Sequence, residues 1–272
     1  MDFLLECIGF PPDVDVDALA ARIRAEGEPV AYRGPGGEHL KLRLPGRIEL
    51  RLDREADDLV TQVFPYYDVP RRLRVRVARV ERLLDSPFDA LLVGSANPPL
   101  PDEEAADRRP ESEYALATYL TDARRLPGHV SQGHVLAVSV AGFALDVESS
   151  APDERAPDER APDERAPDAR AQHDPEAAFI APLTDPSAPS GTVALSLVVE
   201  RVRRVTNPWS GEEFLALEVA APERALDLFV SRWQLAADGL DEPQVGWRIA
   251  GTFLFTGRVS GGLPPLANKR FG

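Results

Sequence analysis

The sequence predicts an α+β chain that is mostly β: an N-terminal β-α-β-β-β unit, then two copies of one antiparallel β module joined by a disordered linker. Three observations carry this. Residues 73–83 (LRVRVARVERL) and 195–205 (LSLVVERVRRV) space their apolar side chains identically. Residues 151–170 are a tandem repeat, APDER three times and then APDAR. The first 70 residues follow a different order, one helical pattern set among period-2 strands. The boundaries are 1–70 for the α+β unit, 71–148 for the first β module, 149–191 for the linker and 192–272 for the second β module.

Residues 3–9 (FLLECIG) read as a short apolar strand ended by Pro11 and Pro12. Asp13, Asp15 and Asp17 then precede a helix over 18–26, with Gly27 just past its end. A calcium loop starting at Asp13 would need Gly at position 18 and Glu at 24, where Ala18 and Arg24 stand. The acids are therefore read as N-terminal helix acids. Strands follow at Pro29–Arg33, His39–Leu44 and Arg47–Asp53, with turns at Gly34–Gly37 and Pro45-Gly46. In the last strand Ile48, Leu50 and Leu52 share one face, and Glu49 and Arg51 the other. Glu55–Val63 reads as a short helix, and Phe64-Pro65-Tyr66-Tyr67 as an aromatic exit from the unit.

The β-α-β-β-β order resembles one module of the vicinal-oxygen-chelate (glyoxalase-like) family. That resemblance implies a divalent metal held by a His and a Glu, for which His39 and Glu49 are the matching residues. The family pairs two such modules around one site, and this sequence shows one. A solvated strand-edge His and an outward Glu are the simpler reading, so no metal ligand is assigned. His129 and His134 lack the further ligands that a metal site would need.

In the first doubled segment the apolar residues are Leu73, Val75, Val77, Val80 and Leu83; in the second they are Leu195, Leu197, Val199, Val202 and Val205. Arg79 and Arg82 match Arg201 and Arg204. A strand that loses its two-residue phase after the third inward side chain contains a bulge or sharp bend. The downstream order also matches. Strands at Phe88–Val93 and Ala115–Thr121 parallel those at Phe214–Val219 and Ala225–Ser231. Glycines 133 and 246 then precede the long final strands His134–Val147 and Trp247–Val259. Internal duplication is the expectation. A long bent first strand, short strands, a connection and a long closing strand resemble an OB-fold, a small partly open β-barrel. The insertion at 95–113 is acidic and proline-rich, and reads as a mobile surface loop.

Each repeat unit holds a proline and no large apolar side chain, so it can neither continue a helix nor bury a core. A solvated, extended spacer is expected. Net charge is −14: residues 1–148 carry 18 basic and 26 acidic side chains, 149–191 carry 4 and 10, and 192–272 carry 9 and 9. That acidic balance disfavours nucleic acid, whose backbone is held by basic neutralisation. No apolar run reaches membrane-spanning length, and the first residues have no basic region of a signal peptide. One cysteine, Cys7, precludes an internal disulfide. These features lead us to expect a cytoplasmic protein. The near-exclusive use of Arg over Lys associates with GC-rich bacterial genomes.

No nucleophile motif and no phosphate loop occurs, so no catalytic or cofactor-binding residue is assigned. One ligand surface stands out in the second module: Trp209 in a turn, with Arg201, Arg203, Arg204 and Phe214. The plainer reading makes the arginines a solvated strand face and Phe229, Leu215 and Trp247 core. The expected role is non-enzymatic binding or scaffolding of a protein or small ligand, without cofactor. Single-stranded nucleic-acid binding by the C-terminal OB-like module is the alternative, and a metal-dependent glyoxalase-like enzyme a third.

Overall fold

The computed structural model describes residues 3–30, 37–54, 61–83, 89–99, 113–121, 123, 126, 130–152, 178–183 and 191–261. Most of the repeat, the core of the 95–113 insertion, His129 and the C-terminal Lys269-Arg270 lie outside them. The chain is mostly β, arranged in two sheets. Among the described residues no helix is long and apolar enough to cross a membrane.

The N-terminal unit opens with a helical turn, α1 (Phe3–Glu6), where a strand was expected. Leu4, Leu5, Cys7 and Ile8 are all buried, while Phe3 is exposed and Glu6 half-buried. A segment this short carries no periodicity that separates strand from helix. Helix α2 (Val16–Glu26) follows the predicted logic: the Asp15 side chain accepts from the Ala18 N–H, and Gly27 N–H donates to Ile23 O.

Strands β1 (Glu28–Pro29), β2 (Glu38–Arg43), β3 (Ile48–Arg54) and β4 (Thr61–Tyr67) form an antiparallel sheet in that order. β4 replaces the end of the predicted helix and the aromatic exit. It is the terminal strand of its sheet, where a proline such as Pro65 is tolerated. The first part of the predicted helix, 55–60, lies outside the described residues, as do 31–36 of the preceding strand and turn. Leu50 and Leu52 are fully buried on one face of β3, together with Leu19, Ala20 and Ile23 of α2 in the same apolar cluster.

The second sheet contains β5 (Leu73–Arg82), β6 (Ala90–Ala96), β7 (Tyr114–Leu120), β8 (Val135–Ser150), β9 (Phe179–Pro182), β10 (Thr192–Thr206), β11 (Glu213–Val219), β12 (Leu226–Val230) and β13 (Arg248–Gly261). A short helix, α3 (Arg232–Ala237), links the last two. β9 lies within the stretch expected to be linker and pairs antiparallel with β10.

The pairings trace two five-strand circuits. One runs β5-β6-β7-β13-β8 and back to β5; the other runs β10-β11-β12-β8-β13 and back to β10. They share the long antiparallel pair β8–β13. In each, one pairing is parallel: β7 with β13, and β12 with β8. β8 thus pairs first with β5 and further along with β12, while β13 pairs first with β10 and then with β7. Gly142 faces Phe255 near the middle of this shared pair. A Cβ there would come within 2.6 Å of the Leu228 side chain and 2.8 Å of the Phe255 ring, so a larger residue would require these side chains to move.

The phase break seen in the sequence is a bulge in both strands. The ladder shifts between Val77 and Arg79 against β6, and between Val199 and Arg201 against β11. One continuous apolar cluster contains residues from α1, α2, both sheets and both circuits.

Candidate functional site

β2 and β3 alternate as predicted, but most of their charged face is buried; Arg43, at the end of β2, stays exposed. Glu49, Arg51 and Asp53 are 2%, 2% and 1% exposed, and His39 is buried with them. The cause is tertiary: that sheet meets Asp89, just before β6, and side chains from β7, β8 and β13. The result is a largely buried polar seam of two groups that line one cavity.

In the first group His39 Nδ1 contacts Asp53 Oδ1, and Arg51 Nη2 donates to Asp53 Oδ2 at 2.8 Å. Arg51 Nη1 reaches Asp89 Oδ1 at 3.5 Å, and the Tyr119 hydroxyl donates to Asp89 Oδ2 at 3.0 Å. Phe64 of β4 stacks on Tyr119 with ring centroids 5.2 Å apart.

In the second group Glu49 accepts from Arg258 and pairs with Lys41 Nζ at 2.9 Å; Arg43 Nε lies 3.9 Å away. Burial by itself would raise the Glu49 carboxyl. Hydrogen bonding and charge from Arg258, then from Lys41, outweigh that and hold it below the ordinary carboxylate range. Burial lowers the Lys41 ammonium; Glu49 opposes this, while Arg258 and Arg43 add to it. The Arg258 guanidinium also lies 4.0 Å over the Tyr66 ring, and the Tyr66 hydroxyl is 2.7 Å from Ser139 Oγ. Burial pushes Tyr66 up to about 12. Between the two groups is a small cavity lined by Val30, His39, Lys41, Glu49, Arg51, Thr121 and Arg258.

His39 and Glu49 therefore line the same cavity. Glu49, however, is already engaged by cations, and His39 by Asp53. Among the described residues no group of three or more His, Cys, Asp or Glu is placed to hold a metal ion.

The predicted surface around Trp209 is divided. Phe214 is fully buried, and Phe229 of β12 stands beside it; Tyr67 packs on both, at 6.4 Å and 4.4 Å between ring centroids. Arg203 Nη2 donates to Asp227 Oδ1 at 3.2 Å, and its Nη1 to the Tyr67 hydroxyl at 3.5 Å. Arg201 lies 4.0 Å from Glu218, and Arg204 donates to Glu242 at 2.6 Å. Trp209 is half-buried under Arg22 of α2, whose guanidinium sits 3.6 Å from the ring centroid. Trp247, expected in the core, is half-buried.

The Trp209 turn is built for docking. Asn207 is fully buried; its Oδ1 accepts from the Trp209 N–H at 2.8 Å, and its Nδ2 donates to Ile8 O at 2.8 Å. Ser210 Oγ donates to Gly9 O at 2.6 Å. Gly9 has φ +84°, and a Cβ there would lie 3.1 Å from Asn207, Glu212 and Phe214 atoms, so the contact requires glycine. Cys7 is buried nearby with its thiol donating to Ala144 O, and burial pushes it up to about 12. A thiol so placed is not a nucleophile at neutral pH.

Sequence reasoning missed Lys41, Arg51, Asp53, Asp89, Tyr119 and Arg258 as members of one constellation. A signal for part of it existed: basic residues at 39, 41 and 43 stand across from acids and an arginine at 49, 51 and 53. The partners Asp89, Tyr119 and Arg258 are remote in sequence and left no trace. Comparison with protein-family models, with curated proteins and with solved structures finds no match for this chain.

Proposed function

We propose that this chain is a non-enzymatic binding or scaffold protein made of two OB-like modules, duplicated within one gene, with an α+β unit docked on them. Its ligand is a protein or small molecule rather than nucleic acid. The OB-like reading is supported by the strand order of each circuit and by its single parallel pair. It is supported too by α3, which stands between the third and fourth strands of the second module. Each module takes its fifth strand from the other: β13 completes the first and β8 the second.

Duplication is supported by matched registers. Val77 N–H donates to His134 O and Gly133 N–H to Val77 O, both at 2.8 Å. Val199 N–H donates to Trp247 O and Gly246 N–H to Val199 O, again at 2.8 Å. Both glycines have positive φ, +87° and +86°.

One observation carries the choice of ligand. The outer face of β11 and β12, with the turn before β11, is where OB-folds take ligands. Here the chain's own N-terminal unit occupies it, through Tyr67, Arg22, Ile8 and Gly9. That surface works as a protein-docking surface, and the stacking aromatics a single strand would need are engaged. The test is fluorescence anisotropy of a labelled single-stranded oligonucleotide with the full chain over a salt series. We expect no salt-dependent binding. Binding that weakens with salt and with Trp209→Ala would move the assignment to nucleic acid.

A further inference from the structure

β10 has an edge that its counterpart in the first module lacks. There β6 follows β5 back to Ala96, opposite Val75. In the second module β11 leaves β10 at Val199, the equivalent of Val77. Leu183 N–H donates to Thr192 O and Ala220 N–H to Val198 O, so β9 and β11 lie along one edge of β10. β13 lies along the other, where Val199 N–H donates to Trp247 O. Without β9, the backbone of 193–196 would be an open sheet edge.

β9 is a small occupant of that edge. Its four residues are all half-buried, and Leu183 beyond them is exposed. Ile180 packs against the main apolar cluster, and β9 lies alongside β7 on its far side. Alternate residues of an antiparallel strand bond to the same neighbour. With Leu183 bonded to β10, Ala181 and Phe179 face β10 too, and the backbones of Ile180 and Pro182 turn away. Pro182 has no N–H, so the outer side of β9 does not extend the sheet, and an incoming strand must replace β9 rather than add to it. The chain before β9 has length to spare. Phe179, Ser196, Ala250 and Glu148 stand in one row across β9, β10, β13 and β8, three strand spacings or about 15 Å. The 28 residues between Ser150 and Phe179 reach about 90 Å when fully extended, so β9 can leave β10 without pulling on β8.

We propose that the edge of β10 over 193–196, walled on its far side by β7, is a docking site for an extended peptide of a partner protein, and that β9 is its resident occupant, displaced when the partner binds. The partner adds to β10 as an antiparallel strand. Backbone hydrogen bonds give it affinity, and a branched apolar side chain at the Ile180 position, followed by a small residue where Ala181 faces Ala194, gives it specificity. The site is separate from the face of β11 and β12 covered by the N-terminal unit, and the inference does not depend on the reading of that face.

The test uses the full chain, with a labelled peptide of residues 177–184, AAFIAPLT, as the probe. Ala181→Pro removes an N–H that faces β10 and dislodges β9. By fluorescence anisotropy the peptide binds this variant at least about tenfold tighter than the wild-type chain, in which the tethered strand competes at about millimolar effective concentration. The peptide carrying Ile180→Asp binds neither chain. Equal binding of the peptide by the two chains, or binding by neither, overturns the proposal, as does equal binding of the two peptides. Hydrogen exchange of the wild-type chain is a second test that needs no variant. The amides of Ala194 and Ser196, which face β9, exchange at least about tenfold faster than those of Val193 and Leu195, which face β13. Equal protection along the two edges of β10 overturns the proposal even where Ala181→Pro fails to fold.

Discussion

Val77 and Val199 occupy the same place in two strands 122 positions apart in the sequence: each is the last inward residue before a bulge, and each exchanges two backbone hydrogen bonds with the turn that opens a long closing strand. Both side chains are buried, at 1% exposure. Val77→Ala and Val199→Ala are each expected to cost about 2 kcal/mol, the order of one buried valine. Because the circuits share β8–β13, both variants unfold in one transition in urea. Two separate transitions would contradict the shared core.

Glu49 ties the seam to pH. Its carboxyl is held below its unfolded value, so it contributes stability that is present above the unfolded pKa and lost as pH falls through the folded one. Glu49→Gln leaves Lys41 and Arg258 without their carboxylate, and about 3 kcal/mol of stability should be lost at pH 7. The acid limb of its stability profile should also flatten, which urea unfolding between pH 3 and 7 measures. Lys41 acts in the opposite range. Its folded pKa is lowered, so stability gains from this residue as pH rises through that folded value towards the unfolded one.

Asn207 holds the N-terminal unit to the second module. Asn207→Ala strips the buried Ile8 carbonyl and the Trp209 N–H of their partner, at a cost of about 1–3 kcal/mol. Trp209→Ala removes the Arg22 contact at a partly exposed site and should cost less, about 1 kcal/mol. Hydrogen exchange separates the two. Asn207→Ala raises exchange in 7–10 as well as 207–212, and a rise confined to the turn would refute the docking role.

The repeat stands between β8 and β9 in the sequence, and its composition is that of a solvated spacer. Cutting its four copies to one should leave Tm unchanged within about 2 °C, as for a surface change away from any packed feature. Circular dichroism through the melt measures this. Loss of the folded state would refute the spacer reading.

The strands that carried a clear two-residue period were legible: β2, β3, β5, β10 and the bulges in the last two. α2 was legible from its capping aspartate. α1 was not, because a short apolar segment such as Phe3-Leu4-Leu5 fits strand or helix equally well. β4 was not, because Pro65 argues against a strand unless the strand is an edge, and edges are decided by neighbours. Of the residues expected around Trp209, Phe214 packs against Tyr67 of the N-terminal unit rather than facing solvent.

The sequence by itself determined which residues alternate, where the first strand of each module bends, and which short-range caps form, since these depend on neighbours a few positions away. Only the tertiary structure decided that most of the charged face of β2 and β3 is buried. Glu49 lies beside Lys41 but 209 positions from Arg258, and Arg51 lies 38 from Asp89. Whether a strand's polar face meets water or a second sheet depends on what packs over it. That choice is made by the sum of long-range contacts, and no local pattern encodes it.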